Sequence, residues 1–225
     1  RRVLFRSKAK QFAEAHGASR WHGSYEALLA DGEVDAVYIS TPHTGHTEWA
    51  VKSAEAGKHV LCEKPLAINH AQAMVAIDAA ERGGVCFMEA FMYRCHPQTA
   101  RLVELVRGGA IGRVRMIEAS FGFGGGETIN PASRLFDPSL GGGAILDVGC
   151  YPVSLSRLVA GAALGSEAGF AEPTAVKAAG RLGETGVDEW SAAVLKFEGD
   201  VVAEVATSVR ASLPNRAVIT GSAGT

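Results

Sequence analysis

The sequence has little of what marks several common protein classes. No apolar run approaches the roughly 20 residues that cross a bilayer as a helix, and no charged, apolar and small leader opens the chain. The four cysteines, Cys62, Cys86, Cys95 and Cys150, never fall in a Cys-x-x-Cys pair. Their neighbours are apolar or small, which argues against a disulfide framework or a structural zinc and predicts reduced, buried thiols. Net charge is nearly absent: 22 Lys and Arg stand against 24 Asp and Glu, leaving −2. Neither nucleic acid nor an anionic membrane is therefore an expected partner. With 47% apolar and 20% charged residues, the composition is not that of a disordered chain. A soluble, cytoplasmic protein is expected. Its 225 residues allow one large domain or two modest ones, at about 150 residues per domain.

Glycine is in excess, at 27 residues against an average near 7%. Much of the excess lies between Gly122 and Gly143, which predicts a functional loop. The first seven residues, Arg1 to Ser7, look like neither a start nor a clean strand and resemble an in-frame translation of a sequencing-library adapter. The last five, Gly221 to Thr225, follow a strand-like run where a fold would ordinarily turn into another element. Both ends are expected to be cuts in a longer gene.

Residues 8–16 carry helix formers and stop at Gly17, a C-terminal helix signal. Short apolar runs at 35–40 and 58–62 read as buried strands, the first buried on both faces, and 85–90 supplies a third strand. Between them, His46, Trp49, Ala50 and Ser53 recur at helical spacing, and Asn69 is placed to cap a helix whose Ala73, Met74, Ile77 and Ala80 form one stripe. Strands alternating with helices of this length predict parallel βαβ units and a doubly wound, Rossmann-like α/β sheet. Beyond residue 92 the pattern changes. Pro97 opens a helix that ends at Gly108-Gly109, residues 113–121 read as a strand, and Val201, Ala203, Val205, Thr207 and Val209 alternate with their neighbours. Such alternation predicts an open-faced, mostly antiparallel sheet in an α+β domain. The expected organisation is a dinucleotide-binding domain at 1–91, lacking its first βα unit, and a substrate and oligomerisation domain at 92–225.

Several residues are candidates for chemistry, each with an ordinary structural reading beside it. Glu63-Lys64-Pro65 directly follows a predicted strand, and in open α/β sheets ligands bind outside the carboxyl ends of strands. Lys64 is then either a group in the crevice or a solvated surface charge. Ser40-Thr41-Pro42 is a second strand-end turn with the same two readings. Asp147 and Tyr151 stand four apart after Gly141-Gly142-Gly143. On a helix they share a face, so that an acid and a phenol meet one substrate, or else Asp147 is an N-terminal cap. Pro152 restricts that helix to its first turn or kinks it. Arg94, near the end of the third strand, has the charge to orient an oxygen-rich ligand. His43-x-x-His46 has a metal-like look but lacks a third ligand at convincing spacing, so no metal is expected.

Taken in order, Ser40-Thr41-Pro42-His43-x-x-His46, Ala56-Gly57-Lys58-His59-Val60, Glu63-Lys64-Pro65 and Gly141-Gly-Gly-x-x-x-Asp147-x-Gly149-x-Tyr151 resemble the Gfo/Idh/MocA family of nicotinamide oxidoreductases. Residues 88–94 and 184–188 further resemble the branch that holds dimeric dihydrodiol dehydrogenases and NADP-dependent xylose dehydrogenases. The resemblance implies hydride transfer between NADP or NAD and a carbinol or carbonyl carbon of a sugar, polyol or trans-dihydrodiol. It implies Lys64, Tyr151 and Asp147 as catalytic residues, and Arg94, Asp147 and Tyr151 as substrate contacts. Cofactor contacts fall on Ser40, Thr41, Pro42, His43, His46, Glu63 and Lys64, with Arg6 and Ser7 where NADP-preferring relatives place an Arg for the 2′-phosphate. Tyr151 stands where many members of the family carry His. A homodimer or higher homo-oligomer through the open sheet face is expected as well. The family's opening strand and Gly-x-Gly-x-x-Gly turn have no counterpart here, which predicts weak cofactor binding by the chain alone. The competing reading is a non-catalytic sugar- or nucleotide-binding protein, or an inactive fragment.

Overall fold

A computed structural model describes residues 2–124 and 128–225, with side chains described from Ser7 onward. The chain divides into two units, residues 1–90 and 91–225.

In the first unit, helix formers beginning well ahead of residue 8 make one helix, α1 (Arg2–His16), and a Ser24-capped turn, α2 (Tyr25–Leu29), follows. Three strands then pair in parallel in sequence order: β1 (Ala36–Ile39), β2 (His59–Cys62) and β3 (Phe87–Glu89). The crossovers are α3 (His46–Glu55) and α4 (His70–Gly83). Asn69 caps α4 as its sequence position predicts, its side chain accepting the Gln72 N–H at 3.0 Å. Small residues let the helices approach closely. Ala54, Ala79 and Ala80 are buried together, and a side chain at Gly83 would meet the Ala54 carbonyl at 2.7 Å.

The strands are not buried on both faces. Val37, Ile39, Val60, Cys62 and Phe87 face the helices, whereas Tyr38, Leu61 and Met88 are exposed on the other side. Burial in β2 alternates strictly, so a short apolar run was here half-buried, the ambiguity that such runs carry. Cysteine burial also differs from expectation. Cys62 is buried, Cys150 is half-buried, and Cys86 and Cys95 are exposed. Apolar neighbours in sequence did not translate into neighbours in space, because both exposed thiols lie at the ends of short elements.

The second unit opens with α5 (Pro97–Arg107) and β4 (Val114–Gly122). A long loop leads to a five-residue π-helical turn, Ile145–Gly149, which runs on into α6 (Cys150–Leu164). Strands β5 (Ala175–Leu182), β6 (Asp188–Lys196), β7 (Val202–Ser208) and β8 (Arg216–Gly221) complete a five-stranded sheet in the order β5-β6-β7-β4-β8. Every pairing is antiparallel except β4 with β7. The residues that alternate in β7 face inward as predicted. Val201, Ala203 and Val205 are buried with Ile117, Leu195 and Phe197 beside Val159 and Ala160 of α6, and Val209 is buried with Val148 and Val187. The opposite face leaves Met116, Trp190 and Val194 exposed.

Candidate active site

The first group of candidates sits where parallel strands end. β1 runs into Ser40-Thr41-Pro42, β2 into Glu63-Lys64-Pro65, and β3 ends in Glu89. Pairing continues past the strands, with Glu63 N–H on Ile39 O and Ala90 N–H on Cys62 O, so the three ends are fixed side by side. Glu63 is shared: its carboxylate accepts the Tyr38 hydroxyl and, at 3.2 Å, the Lys64 backbone N–H. That bond raises the Tyr38 phenol above its ordinary value, chiefly because Glu63 stabilises the protonated form. Lys64 is half-buried.

Glu89 accepts the Leu66 N–H at 2.7 Å. Burial raises its carboxyl, opposed by that N–H and by the charges of His46 and Lys64. Cys62, wholly buried at the end of β2, has its thiol pushed up to about 12, mainly by burial. A thiol so held is inert at neutral pH.

A cavity of about 650 Å³ lies beside β1, lined by Tyr38, Ser40, Thr41, Trp49, Arg20 and Glu33 among others. The Thr41 hydroxyl is buried without a hydrogen-bond partner among the described residues, and a side chain at Gly45 would come within 2.9 Å of it. The hydroxyl lies at a strand's carboxyl end, where open α/β sheets take ligands, and Gly45 packs directly against it.

His46 corrects one expectation. Its ring is fully buried, with Nδ1 2.7 Å from the Pro65 carbonyl oxygen and Nε2 2.9 Å from that of Thr41. Both nitrogens are committed to backbone, so the ring has no atom to offer a cofactor. His43 is half-buried, its ring centroid 5.7 Å from that of His46. Ser7 is exposed within α1 and not at a strand end, and the side chain of Arg6 lies outside the described residues.

The second group is built around the π-helical turn. The Cys150 N–H reaches back to Ile145 O, the i−5 bond of this geometry, and buried Pro152 follows where an α-helical N–H would be missing. Asp147 lies in the turn with its side chain 6% exposed and accepts from Arg134 Nη1 at 2.8 Å. It is not the cap. The Ile145 N–H is taken at 2.8 Å by Asp188, whose carboxyl is raised by burial and partly lowered again by that N–H.

The glycines ahead of the turn have separate tasks. Gly141 and Gly143 adopt φ of +73° and +115°, values that favour glycine. A side chain on Gly143 would fall 2.2 Å from Asp188 Oδ1, and one on Gly142 would meet three carbonyl oxygens at 2.8–3.0 Å. Part of the glycine-rich stretch after Gly124 lies outside the described residues.

Tyr151, half-buried in the first turn of α6, has its ring 5.2 Å from that of Phe91, 5.4 Å from Phe121 and 6.1 Å from Tyr93. Tyr93 hydrogen-bonds Ser154 at 2.8 Å, and burial raises its phenol. Arg94 lies over the Phe170 ring at 4.7 Å and acts on the Tyr93 phenol. Arg134, Asp188, Tyr93 and Glu89 escaped sequence reasoning. Asp188, Glu89 and Tyr93 carried a faint signal, since each lies in a stretch that contributes to the family resemblance.

Comparisons with known proteins match both units of the chain. The family description "Oxidoreductase family, NAD-binding Rossmann fold" matches residues 5–91, and "GFO/IDH/MocA C-terminal domain" matches residues 99–225. The chain is 39% identical over 217 residues to trans-1,2-dihydrobenzene-1,2-diol dehydrogenase of Xenopus laevis, covering 96% of this chain and 62% of that protein. It is 38% identical over 205 residues to D-xylose 1-dehydrogenase (NADP(+)) 2 of Haloferax volcanii, covering 90% and 58%. Among solved structures, aldose-aldose oxidoreductase from Caulobacter crescentus, complexed with glycerol, superposes with a TM-score of 0.83 at 27% identity, covering 96% and 63%. The 3-ketoreductase KijD10 from Actinomadura kijaniata, with NADP and TDP-benzene, gives 0.80 at 31%, with the same coverage. The chain thus spans about 62% of the length of the curated relatives it matches.

Proposed function

This chain belongs to the Gfo/Idh/MocA oxidoreductase family, and on that premise we propose that the protein carrying it is an NAD(P)-dependent dehydrogenase acting on CH–OH groups. The substrate class is a sugar, polyol or trans-dihydrodiol. The observation that carries this reading is the row of chemical turns at the carboxyl ends of three parallel strands, Ser40-Thr41-Pro42, Glu63-Lys64-Pro65 and Glu89. That is where open α/β sheets take ligands.

Ser40, Thr41, Pro42, His43 and Glu63 would hold the nicotinamide riboside, and a bound nicotinamide supplies a hydride acceptor or donor. Lys64 places its ammonium on the substrate oxygen, favouring the alkoxide. Tyr151 takes or returns the alcohol proton as general base or acid. Asp147, held by Arg134, accepts hydrogen bonds from substrate hydroxyls, and Arg94 contributes further donors. The rings of Phe91, Tyr93 and Phe121 pack around Tyr151 and limit water at its phenol.

The outer sheet face, where Met116, Trp190 and Val194 are exposed, is proposed to bury against a second copy. No described helix is long and apolar enough to cross a membrane, and four free thiols suit a reducing cytoplasm.

Assay of the full-length protein with NADP⁺ and NAD⁺ against xylose and trans-dihydrodiols tests the reading. Lys64→Ala is expected to lower kcat by at least about 10²-fold, the scale of a group that stabilises charge developing in the transition state. Wild-type turnover in that variant would remove Lys64 from the mechanism.

A further inference from the structure

A neutral imidazole has one nitrogen that donates and one that accepts, whereas a carbonyl oxygen only accepts. His46 sets both ring nitrogens on carbonyls, Nδ1 on Pro65 O at 2.7 Å and Nε2 on Thr41 O at 2.9 Å, with the ring fully buried. In either neutral tautomer one lone pair would face a carbonyl oxygen at hydrogen-bond distance, out of reach of water. Only the ring protonated on both nitrogens satisfies the two contacts.

We propose that His46 is a buried imidazolium clamp that ties the turn after β1 to the turn after β2, making it a positioning residue for Lys64 and for the cofactor-facing Ser40-Thr41-Pro42. Its kinetic consequence rests on the dehydrogenase reading; its protonation state does not.

The clamp acts through backbone at both ends. Pro65 is the residue after Lys64, so its carbonyl fixes the chain that presents the ammonium. Thr41 carries the buried, unpartnered hydroxyl beside the cavity, so its carbonyl fixes the direction of that group.

A buried cation needs an anion near it. Glu89, at the end of β3, supplies one: its carboxyl feels both His46 and Lys64 and is itself pinned by the Leu66 N–H. His43 also stands against the ring, 5.7 Å away between centroids. His46 also opens α3, where the helix dipole disfavours a cation. That opposition is smaller than the cost of an unmet hydrogen bond in a buried site, and the Glu89 carboxylate offsets it.

Two side chains each reproduce half of the clamp. The Asn amide nitrogen occupies roughly the place of Nδ1, and the Gln amide nitrogen that of Nε2. His46→Asn therefore keeps the Pro65 bond and loses the Thr41 bond, and His46→Gln does the reverse. In the full-length protein, His46→Asn is expected to weaken NADP(H) binding more than it lowers kcat, and His46→Gln to lower kcat more than it weakens binding. Each major loss is about tenfold or more, as for one charge-assisted hydrogen bond. Parallel losses in both variants, or none in either, would overturn the clamp.

An independent arm uses the wild-type protein with ring-¹⁵N histidine at neutral pH. Both His46 nitrogens are expected at protonated chemical shifts, with ring protons protected from exchange. One nitrogen at the unprotonated shift overturns the proposal whatever the kinetics show. If the spectrum is as expected but the full-length protein turns over neither NADP⁺ nor NAD⁺ with xylose or trans-dihydrodiols, the dehydrogenase reading has failed and the clamp stands.

Discussion

At the strand ends of the first unit, polar side chains turn onto the backbone: His46 onto the carbonyls of Thr41 and Pro65, Glu89 onto the N–H of Leu66. At the π-helical turn of the second unit, side chains hold side chains and distant segments. Arg134 reaches Asp147 from thirteen residues upstream, and Asp188 caps Ile145 from forty-three residues downstream. The first arrangement joins turns that the parallel pairing of β1, β2 and β3 already holds side by side, although His46 and Pro65 are 19 residues apart and Leu66 and Glu89 are 23. The second exists only once β6 and the loop before the glycines have come together. A site held by backbone contacts should tolerate change elsewhere in its unit, whereas one held by remote side chains should lose function when its distant supports are removed.

The largest expected effect tests whether the second unit takes part in the chemistry at all. Tyr151→Phe removes one oxygen and leaves the ring contacts with Phe91, Tyr93 and Phe121 in place. A phenol used in proton transfer acts chiefly in the transition state, so kcat is expected to fall by about 10²-fold with KM little changed. Steady-state kinetics of the full-length protein decides this. A rise in KM alone makes Tyr151 a binding residue, and the second unit then only shapes the substrate.

A smaller effect contrasts two helix caps. Asn69 is a local cap for α4, and Asp188 is a remote one for the π-helical turn. Asn69→Ala and Asp188→Ala should each cost about 1–2 kcal/mol in stability, the usual worth of a cap, as read by urea denaturation. Only Asp188→Ala should also lower kcat at a temperature where both variants are folded, because it loosens the turn that carries Asp147. Equal kinetic effects from the two would erase the distinction between local and remote support.

The same distinction explains what was legible in the sequence. The βαβ order, the Asn69 cap, the Pro97 helix start and the inward residues of β7 were all readable, because each rests on periodicity or on capping within a few positions. The strand-end turns were readable for the same reason. Hidden were the partners of Asp147 and of the π-helical turn, since nothing in the spacing from Arg134 or to Asp188 marks a contact. The role of His46 was hidden differently. Its position was seen, but burial with two carbonyl neighbours is a property of the folded strand ends, and it turns an apparent ligand into a support. The expected burial of both sheet faces failed because short apolar runs do not distinguish a half-covered strand from a fully covered one.

The smallest expected effect concerns pH and tests how the first unit balances its buried charges. Burial raises the Glu89 carboxyl above the ordinary 4.5 and outweighs the opposing pull of the Leu66 N–H, His46 and Lys64. The folded state thus binds the Glu89 proton more tightly than the unfolded chain does. Its contribution to stability is fully present below about pH 4.5 and is lost as pH rises through the raised folded value. Glu89→Gln is neutral at every pH and keeps an amide oxygen for the Leu66 N–H. Near pH 4 the variant and the wild type should therefore be alike. Toward neutral pH the variant, free of the cost of a buried carboxylate, should become the more stable, seen as a growing gap in Tm across a pH series. A gap of the opposite sign would mean that the attraction of His46 and Lys64 for the carboxylate exceeds the cost of burying it. The strand ends would then be held by charge pairing between side chains, as the second unit is, and the contrast between the two units would fall.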